Sequence, residues 1–566
     1  MWQQIYEPVG GSLGVSALVA AIPIAVLFVM LGALRKPAWM SAMAALVSAL
    51  LVALFVYGMP LKLAVVSTAY GAAYGLFPIA WIVFTSIMLY RLAVDTGKFE
   101  IIKSSVGGLT TDRRLQALFI AFSFGAFIEG AAGFGAPVAV SGAMLAGLGF
   151  NPFYAAGICL LANTAPVAFG SIGIPVTTLA NVTGLDVLLL SAMVGRLCAM
   201  ISIIIPGYLI VVMAGPSRAL EVLPAIIACG VSFAGMQFYV SNFVGPELTD
   251  IMSSLTCIVV MVFVLKLWKP KNIMRLEGDK PVAHAASRHT PWQIFVAWSP
   301  YLLLVLFVLV WGHAPYKHQL NEWADKFLPG SWPLVPGSAK PVAAARLMVP
   351  GLHNLITRIP PVVPAASPYG ALFELNWLSA SGTACLLATL AAALLLRVRP
   401  AGVVKAYVDT FRQLKLALVT IASMLGLAYL MNYSGMTSTL GLALAATGVA
   451  FPFFSAFVGW LGVFLTGSDT SANALFGNLQ VVTANALNLN PVLTASVNSA
   501  AGVMGKMISI QSIAVAVAAT GMTTADESRL FRFTIKHSVF LMLTMAIISM
   551  LFAYVFPGHV PAMPGK

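Results

Sequence analysis

Residues 127–137 read FIEGAAGFGAP, a glutamate in an apolar stretch with three glycines in the next six residues. Glycine tolerates the backbone conformations of a tight reversal, and Pro137 suits the first turn of a returning helix. A charge inside an apolar segment is costly and needs a specific reason. The stretch therefore predicts an interrupted helix with the ionisable side chain of Glu129 at the interruption.

The composition predicts a polytopic helical membrane protein. Sixty per cent of the residues are hydrophobic and 9% are charged, whereas roughly 25% are charged in a typical soluble domain. Apolar runs of 18 residues or more recur along the chain, for example at 16–34, 40–57, 197–214, 377–396 and 538–556. Each run is long enough to cross a hydrocarbon core of about 30 Å.

The net charge of +13 reports orientation in the membrane. Basic residues concentrate in short connections, which is the pattern of cytoplasmic loops. Five connections hold 21 of the 31 basic residues: 35–36, 91–114, 266–288, 397–415 and 529–536. The basic excess therefore indicates a lipid bilayer as the surrounding medium and predicts no nucleic-acid partner.

Cysteine and histidine usage predicts neither a metal site nor a cofactor. The five cysteines lie in apolar segments without CxxC spacing, which is typical of small packing residues. The seven histidines fall in loops or at the ends of predicted spans. A histidine proton relay inside the membrane is therefore not expected, and carboxyl groups have to carry any coupled protons.

The basic connections give about twelve crossings, with the N-terminus and the C-terminus both on the external side. The predicted organisation is a first membrane half, a cytoplasmic linker, one span, an external loop and a second membrane half. These five parts cover 1–267, 268–293, 294–312, 313–371 and 372–566.

Two segments do not fit as crossings and are interpreted as re-entrant hairpins, at about 115–150 and about 450–489. In the first, the leg from Leu115 to Glu129 is about 22 Å long as a helix, which is too short for a full crossing. Broken backbone at membrane depth is tolerated only inside protein or along a cavity. The hairpin tips are therefore expected in one of these two environments.

An internal repeat relates the two hairpins. FIEG at 127–130 matches FLTG at 464–467, and NTAPVAFGSI at 163–172 matches NSAAGVMGKM at 498–507, at offsets of 337 and 335 residues. The predicted topology places the two units in inverted orientation, a pattern that marks the substrate site of secondary transporters. Chance matching of apolar sequence is the alternative. The predicted fold class is an all-α polytopic membrane protein, with about twelve transmembrane helices and two re-entrant hairpins in two inverted repeats.

Two acids at the hairpin tips, Glu129 and Asp469, are the candidate proton carriers. A carboxyl group in a partly dry site accepts a proton more readily than one in water. The alternative is a structural role at a broken helix end, since Asp beside Ser and Thr caps helices readily. Glu129 is the first candidate and Asp469 the second.

Polar and basic residues near the interruptions are the candidate substrate ligands. Lys506 is suited to face an anionic substrate or to pair with Asp469, and Arg196 is a candidate charge partner, with snorkelling or a fixed ion pair as its alternative. Asn–Thr and Asn–Ser pairs lie where spans are expected to unwind and present helix N-termini to a carboxylate; interhelical hydrogen bonding is their alternative. The candidate substrate-binding residues are Asn163, Thr164, Ser468, Thr470, Asn498, Ser499, Lys506, Gly130 and Gly133.

Seven of these nine residues lie in strings of 8–14 residues that are far more specific than hydropathy: FIEGAAGFGAPVAV, NTAPVAFGSIGIP, SNFVGPELTDI, FLTGSDTSANALF, GKMISIQS and FRFTIKHS. The strings closely resemble the L-lactate permease family of bacterial inner membranes, and the resemblance runs from WQQIYEP to the last span. It implies a transporter without enzymatic activity that moves L-lactate, D-lactate or glycolate with protons. Similarity to the wider ion-transporter superfamily implies an elevator-like transport domain and a homodimer.

The chemistry of such a cargo agrees with the candidate residues. A lactate anion needs a positive group for its carboxylate and a donor–acceptor pair for its hydroxyl. An inside-negative potential opposes its uptake by about 2.3 kcal/mol per 100 mV, and one accompanying proton removes that penalty. A sodium-coupled carboxylate transporter is the nearest alternative, and a membrane-embedded hydrolase or a channel is a more distant one.

Overall fold

The computed structural model describes residues 1–107, 109–133, 135–274, 289–326 and 345–562. Two parts of predicted connections lie outside the described residues. They are 275–288 of the cytoplasmic linker and 327–344 of the external loop.

Helices make up most of the described chain, as its long apolar runs predict. Those of the first half are α1 (Leu13–Ala20), α2 (Ile22–Phe28), α3 (Ala38–Phe55), α4 (Leu61–Tyr74), α5 (Trp81–Asp95), α6 (Lys98–Gly107), α7 (Arg113–Gln116), α8 (Gly125–Ala131), α9 (Ala136–Gly147), α10 (Pro152–Ala162), α11 (Gly170–Thr183), α12 (Val187–Ser202), α13 (Ile205–Ala214), α14 (Pro216–Leu220), α15 (Leu223–Phe243) and α16 (Thr249–Leu267). Three π-helical stretches continue neighbouring helices at Val29–Ala33, Gly75–Ala80 and Ala117–Phe124.

The remaining helices follow the predicted cytoplasmic linker. They are α17 (Pro291–Gly312), α18 (Ala314–Asp325), α19 (Ser381–Leu395), α20 (Pro400–Ser434), α21 (Met436–Leu444), α22 (Phe451–Thr466), α23 (Asp469–Ala486), α24 (Pro491–Lys506), α25 (Ile510–Thr520) and α26 (Glu527–Tyr554). Within the described residues, twelve helical stretches are long and apolar enough to cross a membrane, or thirteen if the bent pair Pro152–Ala162 and Val167–Thr183 is one span. The predicted class of multi-pass helical membrane protein is confirmed.

Five short strands, which the sequence did not predict, form two small sheets around the predicted external loop. They are β1 (Trp2–Gln3), β2 (Ala345–Met348), β3 (Ile356–Arg358), β4 (Ser367–Pro368) and β5 (Leu372–Leu375). Strand β1 runs parallel to β3, β3 is antiparallel to β4, and β2 is antiparallel to β5. The N-terminus and this loop therefore lie on the same side of the molecule, as the predicted topology requires.

The first predicted hairpin starts and ends at one place in the structure. The chain runs from α7 through Ala117–Phe124 to α8, passes Gly133 and Gly135 with φ of 59° and 83°, and returns along α9. Positive φ at glycine permits this reversal. At the open end, the Arg113 guanidinium donates a hydrogen bond of 2.8 Å from Nη1 to the Leu148 carbonyl. That this segment enters the membrane from one side only stays a prediction.

The second predicted hairpin consists of α22 and α23. Its tip is Gly467, with φ of 69°, followed by Ser468, whose hydroxyl accepts from the backbone N–H of Ser471 and caps α23. Near the open end, the Gln480 amide donates a hydrogen bond of 3.1 Å to the Ser455 carbonyl. The two legs therefore run antiparallel along each other.

The first interrupted helix unwinds where the sequence predicts. Helix α10 ends at Ala162, Asn163 and Thr164 lie in turns, and the axis bends by 63° before the chain continues. The interruption extends further than expected, because Ser171 and Ile172 also have positive φ, at 47° and 59°. Non-glycine residues rarely adopt such positive φ values.

The predicted break at Asn498–Ser499 is wrong. Helix α24 runs unbroken from Pro491 to Lys506, and the chain leaves the helix only between Lys506 and Ile510. The side chains of Asn498 and Ser499 find hydrogen-bond partners on neighbouring elements, so their presence does not require an unwound backbone. In the predicted repeat, residues 171–173 align with residues 506–508 at an offset of 335 residues. The break after Lys506 therefore corresponds to the left-handed stretch that contains Ser171.

Candidate functional site

A buried ion pair joins the first hairpin to the end of α24, where the second interruption begins. The Lys506 Nζ donates to the Glu129 Oε1 at 2.9 Å, and the Asn163 Nδ2 donates to the Glu129 Oε2 at 2.9 Å. The Glu129 side chain is 3% exposed and the Lys506 side chain is 11% exposed. Lys506 thus pairs with Glu129 and not with Asp469, and each Glu129 oxygen has a partner from a different predicted repeat.

Asp469 occupies a different environment at the tip of the second hairpin. Its Oδ2 accepts hydrogen bonds from the Ser499 hydroxyl at 2.6 Å and from the Asn473 amide at 3.3 Å. Its Oδ1 is buried and has no hydrogen-bond partner among the described residues. Because Ser468 already caps α23, Asp469 is not needed as the side-chain cap that was the alternative for it.

Side-chain amides near these acids form a chain of hydrogen bonds that connects the two predicted repeats. The Asn473 Nδ2 donates to the Pro175 carbonyl at 3.1 Å, and the Asn498 Nδ2 donates to the Asn473 Oδ1 at 2.9 Å. The Gln480 Nε2 then donates to the Asn498 Oδ1 at 3.1 Å. Interhelical hydrogen bonding, the alternative for Asn498, is therefore what the structure has.

Glycines allow close approach around the ion pair. A Cβ at Gly170 would lie 2.5 Å from the Glu129 Oε1, and a Cβ at Gly133 would overlap the Ser171 hydroxyl. That hydroxyl donates a hydrogen bond of 3.1 Å to the Ala132 carbonyl. The glycines of both elements thus bring the first hairpin tip against the first interrupted helix.

A cavity of about 390 Å³ lies between the two hairpin tips and the two interruptions. Lys506 is the basic residue among its described lining residues, and the apolar wall comes partly from α3 and α20. Five of the predicted site residues line it: Glu129, Ser468, Asp469, Thr470 and Lys506. Six others are absent from the lining: Asn163, Thr164, Asn498, Ser499, Gly130 and Gly133.

Helix N-termini also face this cavity. Gly135 precedes α9, Ser468 precedes α23, and Gln511 and Ser512 belong to the first turn of α25; all four line the cavity. The unpaired N–H groups at a helix start carry partial positive charge and favour anions. The cavity therefore combines one ammonium group, hydroxyl groups and helix starts around a small volume.

The sequence also matches a known protein family. The family model of the L-lactate permease matches residues 16–556 of the chain. The chain belongs to the L-lactate permease family.

Individual relatives are similar to this chain along nearly their whole length. It is 49% identical to the L-lactate permease of Bacillus subtilis, over 99% of this chain and all of that protein. It is 45% identical to the glycolate permease GlcA of Escherichia coli, over 98% of this chain and 99% of that protein. It is 43% identical to the L-lactate permease of Escherichia coli, over 99% of this chain and all of that protein. The chain is thus a membrane transporter and not an enzyme.

Arg196, predicted as a charge partner, lies apart from the cavity. Its Nε donates to the Asn242 Oδ1 at 2.9 Å, and its Nη1 donates to the His559 carbonyl. Among the described residues it forms no ion pair. Arg196 instead fastens the C-terminal tail to α12, and its neutral acceptors could not be foreseen from the sequence.

Several residues that contact the predicted ones were not predicted from the sequence. Asn473 and Gln480 complete the amide chain, and Gln511 lines the cavity. Asp250, in the string SNFVGPELTDI, packs against Gly130 of the first hairpin. An acid at the start of an apolar span was a signal of the same kind as Glu129 and was available in the sequence.

Proposed function

We propose that this protein moves lactate and related 2-hydroxymonocarboxylates, D-lactate and glycolate included, together with protons across the bacterial inner membrane. The names of the relatives support this class of cargo. The observation that carries the proposal is the cavity whose described lining contains Lys506, already paired with the Glu129 carboxylate. A substrate carboxylate and the Glu129 carboxylate compete there for one ammonium group.

The substrate is proposed to bind with its carboxylate toward Lys506 and the start of α25. A charge-assisted hydrogen bond from an ammonium group is roughly twice as strong as a neutral one, and the helix start adds partial positive charge. The hydroxyls of Ser468 and Thr470 line the same cavity and are suited to the 2-hydroxyl group. The remaining predicted ligands, such as Asn163, position the acids from behind.

Proton coupling follows from the charges around the cavity. In the unloaded site, Glu129 and Lys506 neutralise each other, and Asp469 has hydroxyl and amide donors but, within the part of the chain that the structure describes, no cation within ion-pair distance. When a lactate anion takes the ammonium group, Glu129 loses its counter-charge in a buried place, which is strongly unfavourable unless a proton neutralises it. One proton on Glu129 for each lactate keeps the charge of the site unchanged.

Movement of the site across the membrane is proposed to carry both hairpins and both interrupted helices against the remaining spans. The lining of the cavity includes Trp39 and Leu416. In the sequence, these residues closely follow the basic residues Lys36 and Lys415. Under the positive-inside rule this is the cytoplasmic side, and the structure is then an inward-facing state. The elevator-like motion and the homodimer remain part of this proposal, on the superfamily resemblance.

Uptake of radiolabelled L-lactate into proteoliposomes tests the proposal, with an inward proton gradient and no sodium. Glu129→Gln is compared with Glu100→Gln, whose carboxylate is exposed and forms only a surface ion pair with Lys103. Wild type and Glu100→Gln are expected to accumulate lactate, and Glu129→Gln to lose accumulation while lactate exchange continues. Unchanged accumulation in Glu129→Gln would move the proton to Asp469. Accumulation that appears only with sodium would favour the sodium-coupled alternative.

A further inference from the structure

Asp250 is a buried carboxyl group without a role in the transport cycle proposed for Glu129 and Lys506. It is the second residue of α16 and is 1% exposed. Neither its Oδ1 nor its Oδ2 has a hydrogen-bond partner among the described residues. This differs from Glu129, whose two oxygens both accept hydrogen bonds.

The surroundings of Asp250 contain the charges of the substrate site. A Cβ at Gly130 would lie 2.8 Å from the Asp250 Cβ, so Asp250 packs against the residue next to Glu129. The charged groups that act on Asp250 are Glu129 from α8 and Lys506 from α24, and the Cys198 thiol on α12 interacts with it electrostatically. The ammonium group of Lys506 is hydrogen-bonded to Glu129, so Asp250 has no cation of its own within ion-pair distance among the described residues.

A second cavity reaches the turn that precedes Asp250. It has a volume of about 310 Å³, and its lining includes Glu247, His313 and Lys317. The Glu247 carboxylate accepts a hydrogen bond of 3.2 Å from the Ser381 hydroxyl. Glu247 precedes Asp250 by three residues, and His313 follows α17 at its predicted external end. Asp250 thus lies close in the chain to this cavity and in contact with the hairpin that holds Glu129.

We infer that Asp250 is a proton-binding site that supplies Glu129 from the external side, by a route separate from that of the substrate. A carboxylate without hydrogen-bond donors is far more costly to bury than a neutral carboxyl group, so Asp250 holds a proton in this state. The inference deepens the proposed function and rests on it.

The transfer is balanced in protons and charge. When a substrate carboxylate takes Lys506, the Asp250 carboxyl gives its proton to the Glu129 carboxylate. Asp250, now ionised, recovers a proton from the cavity that Glu247 lines. One proton enters from the external side for each lactate, and the substrate cavity does not have to open to that side for proton delivery.

The test compares Asp250→Asn with Asp95→Asn in proteoliposomes. Asp95 is exposed at the end of α5 and serves as the matched control. Two rates are measured for each variant: exchange of labelled lactate at equal pH, which needs no net proton movement, and accumulation driven by a pH gradient. Proton entry is followed with a trapped pH dye after lactate is added.

Wild type and Asp95→Asn are expected to accumulate lactate about tenfold per pH unit. Asp250→Asn is expected to exchange lactate within about twofold of wild type, with an unchanged KM, but to show no accumulation and no lactate-dependent proton entry. Accumulation like that of wild type, or a parallel loss of exchange and accumulation, would overturn the role of Asp250. Absence of pH-driven accumulation in wild type would overturn the proposed function itself.

A second measurement keeps the inference testable if Asp250→Asn does not fold. Dicyclohexylcarbodiimide is an apolar reagent that modifies neutral carboxyl groups. In the wild-type protein at pH 7.5, mass spectrometry is expected to find the modification at Asp250 and not at Asp95. No modification at Asp250 would contradict a neutral carboxyl there.

Discussion

Removal of the Lys506 ammonium group is expected to destabilise the protein more than removal of its Glu129 partner. In Lys506→Gln, the Glu129 carboxylate keeps only the hydrogen bond from Asn163 and remains 3% exposed. In Glu129→Gln, the Lys506 ammonium group is left beside a cavity with 11% of its side chain exposed, so water reaches it more easily. The two single variants should therefore differ, although they break the same ion pair.

The expected size follows from the burial of the pair. Removing one partner of a buried ion pair costs about 3–5 kcal/mol, and replacing both partners is often nearly neutral. The surviving hydrogen bond from Asn163 places Lys506→Gln near the lower end, at about 3 kcal/mol, and partial hydration places Glu129→Gln below about 2 kcal/mol. The double variant is expected within about 1 kcal/mol of wild type, since neither charge remains.

Thermal unfolding in detergent with a thiol-reactive dye measures these differences. All five cysteines are buried, so the dye reports unfolding rather than surface labelling. With an unfolding entropy of about 2.1 cal/mol/K per residue, a loss of 3 kcal/mol lowers the midpoint of this chain by roughly 2–3 °C.

Three outcomes would refute this reasoning. The first is a double variant as unstable as the sum of the single variants, which would mean that the two groups do not interact energetically. The second is a Glu129→Gln variant less stable than Lys506→Gln, which would contradict the difference in exposure. The third is a Lys506→Gln variant as stable as wild type, which would contradict the expected cost of an unpaired buried carboxylate.

Two further substitutions test the geometry of the site. Gly170→Ala places a methyl group 2.5 Å from the Glu129 Oε1 and is expected to abolish radiolabelled lactate accumulation, whereas Gly235→Ala, which meets nothing within 4 Å, should leave it within about twofold. Accumulation by Gly170→Ala at the control level would show that Glu129 is free to move. Arg196→Gln is expected to retain at least about half of the wild-type accumulation, because Arg196 contacts Asn242 away from the cavity. A full loss in the same uptake assay, with normal membrane expression, would place Arg196 in the transport cycle.

The interruptions were predictable where the backbone itself signals them. Gly133 and Gly135 turn the first hairpin through positive φ, and Gly467 does the same for the second. Glycine adopts such conformations at low cost, so its clustering in an apolar sequence carries local information. By contrast, Asn498 and Ser499 resemble Asn163 and Thr164 in sequence, yet they lie in an unbroken helix. A polar side chain in a span needs a partner, and the sequence does not reveal whether the backbone or a neighbouring helix supplies it.

The partners of the charged residues could not be predicted from the sequence. Lys506 is 377 residues from Glu129 and 37 from Asp469, yet it pairs with Glu129. Arg196 was a candidate charge partner, with snorkelling or a fixed ion pair as the alternative, and it donates to the neutral groups of Asn242 and His559. Asp250 has the same kind of sequence signal as Glu129, but only its packing against Gly130 links it to the site.

The sequence by itself determined that this chain is a multi-pass helical membrane protein, where its first hairpin turns, and that Glu129, Asp469 and Lys506 are embedded. These properties follow from composition, from glycine conformation and from the cost of charge in an apolar segment, all of which act locally. The tertiary structure alone decided that Glu129 pairs with Lys506, that Asp469 is hydrogen-bonded through one oxygen, and that Asp250 has no hydrogen-bond partner among the described residues. Those differences depend on distances between segments hundreds of residues apart, because an ion pair forms only where the packing of helices brings its two groups together.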